Sequence, residues 1–133
     1  MDSLPTELLY LAWSVVLLLV YVGVQGVLWV SETGPKYNAG PRDEGREPKG
    51  VHANRAVRAL KNFGETYPAF IALSLALAVT ERTGGIGAFG AALWFWARVA
   101  YLPLYVFGVP YIRSVAWGIA LVGLVLMLIR LFG

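Results

Sequence analysis

Arg58, Asn62 and Glu65 stand at i, i+4 and i+7, so on a helix they form one stripe, with Lys61 beside it. The segment around them is apolar enough to enter a bilayer, where an ionised side chain at the centre costs about 2.5–3.5 kcal/mol on insertion scales. Such groups must face protein or a watery cavity. One reading is an internal salt bridge, Glu65 with Arg98 or Arg58, that ties helices together. The sharper reading is a binding stripe. Both charge signs together with an amide suit a zwitterionic, peptide-like ligand better than a simple ion.

A second group lies further along the chain. Arg98, Tyr101 and Tyr105 fall at i, i+3 and i+7 near Pro103, whose missing amide tends to kink a helix. The two tyrosines read either as an interfacial aromatic belt or as ligand contacts, and the neighbouring arginine favours the second. Arg113 and Ser114 then open another helix, where backbone amides and the positive end of the dipole attract an anion. An arginine, a hydroxyl and a helix start together can stabilise a thiolate or carboxylate. The plainer alternative makes Ser114 an N-cap and Arg113 a headgroup contact.

The elements that must position these residues are membrane spans. Only 14% of the 133 residues are charged and 58% are hydrophobic, against about 25% charged in ordinary soluble domains. Leu8 to Val30 carries no charge and is long enough to cross a bilayer. Further spans are expected at about 56–79, 87–106 and 114–131, with a polar loop over 31–54. The fold class is therefore all-α: one four-transmembrane-helix bundle forming a single domain over 1–133. The first span follows Asp2 and Glu7 rather than a basic n-region, so it is expected to be retained rather than cleaved. Gly23 and Gly26, Gly87, Gly90 and Ala91, and Gly118 and Gly123 offer small surfaces for close helix contacts.

The loop contains Gly34-Pro35-Lys36 and a run of breakers and mixed charges from Gly40 to Gly50. It reads as a solvated connector, with a functional lid as the alternative. Lys36, Arg42, Arg46, Lys49 and Arg55, joined by Arg113 on the same side, outnumber Arg82 and Arg130 opposite. The positive-inside rule then places loop 31–54 in the cytoplasm and both termini outside.

With no cysteine, disulfides, thiolate metal sites and a cysteine nucleophile are excluded, so any sulfur chemistry must come from a ligand. A single histidine, His52, excludes a multi-histidine metal site, and no metal is expected. The net charge of +3 comes without a basic stripe interleaved with aromatics, so no nucleic-acid partner is expected.

The string Arg55-Ala56-Val57-Arg58-Ala59-Leu60-Lys61-Asn62-Phe63-Gly64-Glu65-Thr66-Tyr67-Pro68 resembles the second-helix signature of the MAPEG family. That family's members include microsomal glutathione transferases and the prostaglandin E and leukotriene synthases. Ala97-Arg98-Val99-Ala100-Tyr101-Leu102-Pro103-Leu104-Tyr105 and Ile112-Arg113-Ser114-Val115-Ala116-Trp117 are similar to its third and fourth helices at the expected spacing. Together these segments cover roughly Asn54 to Leu131, in a short chain of bacterial type.

The resemblance implies a homotrimer in the membrane lipid, and the bacterial inner membrane is the expected location. Glutathione would bind as co-substrate between neighbouring subunits and open toward the cytoplasm. By position, Arg58, Asn62 and Glu65 would grip the tripeptide, Lys61 would stand where a basic residue often sits, and Tyr105 would contact the ligand; Arg98 and Tyr101 join the binding set by their spacing on the same face as Tyr105. Arg113 would stabilise the thiolate, with Ser114 close by. The implied function is a glutathione transferase or peroxidase-like enzyme acting on a lipophilic electrophile. The chain departs from the pattern in having no arginine in Trp29-Val30-Ser31-Glu32, in Trp117 where some members carry tyrosine, and in Tyr101 where the prostaglandin branch carries histidine. The prostaglandin isomerase activity is accordingly not assigned. Two other classes remain in view. One is a non-catalytic scaffold or lipid-binding trimer; the other is a small exporter coupled through Glu65, against which the adjacent Arg and Lys cluster argues.

Overall fold

A computed structural model describes residues 4–33 and 50–133. Four helices follow one another: α1 (Thr6–Thr33), α2 (Val51–Val79), α3 (Gly85–Val106) and α4 (Ile112–Phe132). Each begins or ends within a few residues of the boundary expected from hydropathy. The bulk of the expected polar loop, residues 34–49, lies outside the described residues, while α1 and α2 extend helically into its two ends.

Three helices are long and apolar enough to cross a membrane: Thr6–Ser31, Gly85–Val106 and Ile112–Phe132. The second does not meet that criterion by composition, because Arg55, Arg58, Lys61 and Glu65 crowd its first half. Its uncharged stretch from Thr66 to Val79 reaches about 21 Å at 1.5 Å per residue. A hydrocarbon core of about 30 Å measured back from Val79 ends near Leu60. On that measure Lys61 and Glu65 would lie inside such a core, close to one surface.

The helices alternate in direction, as contacts at the two ends show. At one end Glu7 Oε2 accepts from the Gly84 amide (2.8 Å), joining the start of α1 to the start of α3. There Arg82 donates to the Leu131 carbonyl (3.0 Å), and Arg130 donates to the carbonyls of Arg82 (2.9 Å) and Thr83 (3.2 Å). At the other end the His52 ring meets Phe107 edge-on at 5.9 Å. The Arg55 side chain covers the bare face of Gly108, whose φ of +70° is ordinary only for glycine.

Between these ends lies an aromatic core. Trp94 stacks on Phe70 (4.0 Å, 9°) and on Tyr67 (5.8 Å, 10°), and Phe63 and Tyr21 pack beside it. Each such pair contributes about 0.5–1.5 kcal/mol beyond its area burial. Polar atoms inside the bundle are tied across helices: Ser14 to Tyr67 (2.9 Å), and the Tyr21 hydroxyl to the Arg98 carbonyl (2.6 Å). Lipid offers no competing partners for such groups.

α3 and α4 approach most closely, at Gly90 and Gly123, where a Cβ on either residue would fall on the other's carbonyl oxygen. Gly87 is confined less severely and by side chains, with Glu7 Oε2 2.9 Å from where a Cβ would stand. Gly23, Gly26 and Gly118 behave otherwise: nothing lies within 4 Å of a Cβ built on any of them. Gly23, Gly26 and Gly118 therefore make no close helix contact within the protomer. These three sit on outward faces of α1 and α4, which sequence spacing alone does not distinguish from inward ones.

Candidate functional site

Near the end that holds Gly108, three helices converge on a cavity of about 270 Å³ lined by Asn62 of α2, Tyr101 and Tyr105 of α3, and Arg113, Ser114 and Trp117 of α4. The tyrosines come from successive turns of one face of α3, and their ring centroids are 5.4 Å apart. The Arg113 guanidinium carbon lies 4.7 Å from the centre of the Tyr105 ring, so the cation is held over an aromatic face. This stack orients a side chain that would otherwise sample many rotamers.

α4 begins at Ile112, two residues before the expected start, with Tyr111 as the N-cap residue in a left-handed conformation (φ 56°). Ser114 is therefore not the N-cap; it lies inside the first turn together with Arg113. Tyr111 makes no side-chain capping bond. The positive end of the α4 dipole thus adds to the Arg113 charge at the cavity wall.

Five of the nine sequence-predicted site residues line this cavity: Asn62, Tyr101, Tyr105, Arg113 and Ser114. Arg58, Lys61 and Glu65 do not. They project from the exposed face of α2, on the stripe to which Asn62 belongs. Arg98 is placed differently again, fully buried behind the cavity. Its Nη1 donates to Asn62 Oδ1 (2.8 Å), and its Nη2 donates to Thr66 Oγ1 (2.7 Å) and to the Asn62 carbonyl (3.2 Å). All three acceptors are neutral, so the Glu65–Arg98 pair offered by the salt-bridge alternative is not among its hydrogen bonds.

Sequence reasoning missed three contributors. Thr66 anchors Arg98, and a hydroxyl one turn beyond the amide was the available signal. Trp117, noted in the sequence for its identity, forms a cavity wall. Arg55, counted there as a loop charge, belongs to α2 and braces the α3–α4 turn that precedes Arg113.

Chemically, the cavity presents a guanidinium, an amide, two phenols and a hydroxyl, a donor-rich set suited to anionic oxygen or sulfur. Its volume lies just below the range of about 300–1,000 Å³ usual for small-molecule sites. Among the described residues no group of three or more His, Asp or Glu side chains could hold a metal. His52 instead edges an apolar groove of about 630 Å³ bounded by Val20, Val24, Val27 and Val106.

A family model described as MAPEG family matches residues 10–133. No curated protein and no solved structure matches the chain.

Proposed function

Because the chain belongs to the MAPEG family, a family of helical membrane bundles that includes glutathione-dependent transferases and peroxidases among other members, we propose that it is a glutathione-dependent membrane enzyme. It activates the glutathione thiol for transfer to, or reduction of, a lipophilic electrophile or hydroperoxide. The observation that carries this reading is the Arg113 guanidinium, fixed over Tyr105 in a cavity whose other polar side chains can all donate a hydrogen bond.

A free thiol has a pKa of about 8.5, and a neighbouring permanent cation lowers it. Arg113 supplies that cation, the first turn of α4 adds its dipole, and Ser114 adds a hydroxyl donor. In a transfer reaction the sulfur forms a bond to the electrophilic carbon and the leaving group departs with its electron pair. Arg113 and Ser114 hold the sulfur charge until then. Lipophilic substrate arrives through the bilayer, since the cavity lies near the membrane boundary.

Glutathione brings two carboxylates and an ammonium. Asn62 and Arg113 face the cavity, and Arg58, Lys61 and Glu65 line the adjoining surface of α2. The protomer's cavity holds only part of this set, which supports a homotrimer in which a second copy covers the charged stripe. The surplus of Lys and Arg in 31–54 supports a cytoplasmic loop in a bacterial inner membrane.

The test is an ultraviolet difference titration of detergent-purified protein with glutathione near neutral pH. A saturable thiolate absorbance is expected in the wild type and lost in Arg113→Ala. A non-catalytic scaffold is the second reading, favoured by the absence of an arginine in Trp29-Val30-Ser31-Glu32. Glutathione binding without any thiolate signal would select it.

A further inference from the structure

Arg98 is the largest charged side chain fully buried among the described residues, and no carboxylate is among its hydrogen-bond partners. Its guanidinium is enclosed by the rings of Tyr101 (5.0 Å), Phe63 (5.8 Å) and Trp94 (6.0 Å). A cation so placed in a membrane bundle is costly to bury, so what it achieves there needs a reason. It does not line the cavity, and its two Nη groups are committed to Asn62 and Thr66. What it does determine is the orientation of a residue that lines the cavity.

A guanidinium has donors and no acceptor. The Asn62 amide can therefore meet Nη1 only through its oxygen, whichever way the amide would otherwise be assigned. With Oδ1 so occupied, Nδ2 is the part of the amide left for the cavity. We propose that Arg98 is a positioning residue that fixes Asn62 as a hydrogen-bond donor, so that Asn62 receives a carboxylate of the ligand and not its ammonium. Thr66 completes the device by holding the second Nη group one turn away on the same helix. The ligand's ammonium is then left to Glu65, the one carboxylate in α2. This assignment rests on the glutathione reading above and adds to it which polar end of the ligand each side chain takes.

The experiment uses the full chain in detergent, with glutathione affinity measured by calorimetry and folding by thermal melting. Asn62→Asp keeps an acceptor for Arg98 and turns a second carboxylate oxygen toward the cavity. It is expected to melt no lower than wild type yet to lose about tenfold or more in glutathione affinity. That loss is expected to shrink to within about threefold for the diamide of glutathione, which carries no carboxylate to repel. Arg98→Met is expected to weaken binding in the wild-type background and to add nothing in Asn62→Ala, because Arg98 acts through Asn62. Arg98→Lys, which retains a donor for Oδ1, is expected to restore part of the affinity.

Unchanged glutathione affinity in Asn62→Asp would overturn the proposal, and so would an equal loss from Arg98→Met with and without Asn62. Should Arg98→Met fail to fold, Arg98→Lys measured with and without Asn62→Ala makes the same comparison, and an equal loss in both backgrounds would overturn the proposal. If wild type binds no glutathione, it is the glutathione reading that falls, a result distinct from either of these.

Discussion

At the residue scale the proposed site centres on one cation and the ring beneath it. A cation over an aromatic face contributes about 0.5–2 kcal/mol according to its exposure. Tyr105→Leu removes that face while keeping an apolar contact, so glutathione affinity is expected to fall between about twofold and thirtyfold. Arg113→Lys keeps the charge but loses the planar stack. A reduced rather than absent thiolate absorbance is expected, between wild type and Arg113→Ala; full absorbance in the lysine variant would show that orientation is unimportant. Residue spacing made Asn62, Tyr101, Tyr105, Arg113 and Ser114 legible in the sequence, since types that cost free energy in lipid stand out there. It did not show that Arg98 points away from the cavity, because helical spacing specifies a face and not the rotamer of a long side chain.

At the scale of elements, the α3–α4 contact sets the position of Arg113 and Ser114 relative to the two tyrosines. That contact is closest at Gly90 and Gly123, where the backbones themselves meet. Gly90→Val must push the helices apart, at a cost of about 1–3 kcal/mol or more for overpacking. Its thermal midpoint in detergent is expected to drop well below that of Gly118→Ala, which meets nothing within the protomer. Glu7 performs a similar service at the far end, where its buried carboxylate accepts from the amide preceding α3. Glu7→Ala is expected to lower stability by about 1–2 kcal/mol, as loss of an N-terminal acceptor does elsewhere. A melting curve unchanged from wild type would show that α3 needs no such anchor.

At the scale of the molecule, the two ends of the bundle differ in kind. The arginines at one end, Arg82 and Arg130, are committed to backbone carbonyls. The other end carries the cavity and, on α2, an exposed run of Arg58, Lys61 and Glu65, the last two beside the apolar stretch of the helix. Hydrocarbon is a poor neighbour for that face. The homotrimer proposed above would cover that face and complete the small cavity. Because the chain has no cysteine, Gly64→Cys would place a single thiol on this face, where a Cβ meets nothing within the protomer. Oxidation in membranes is expected to give a cross-linked dimer on a denaturing gel. Monomer alone would count against two copies meeting through their Gly64 positions.

The sequence by itself determined the helical membrane class and the approximate limits of α1, α3 and α4. Those follow from long apolar runs ended by Gly, Pro and charge, a one-dimensional property of the chain. It also singled out the polar stripe of α2. Tertiary structure alone decided how that stripe divides: Asn62 faces the cavity, while Arg58, Lys61 and Glu65 face outward. It also decided that Arg98 is held by Asn62 and Thr66 rather than by Glu65, and that Gly90 and Gly123 pack against each other while Gly23, Gly26 and Gly118 meet nothing within the protomer. The physical reason is the same each time. Periodicity places residues on a face of their own helix, but which neighbour that face meets, and at what distance, is settled only when four helices pack together.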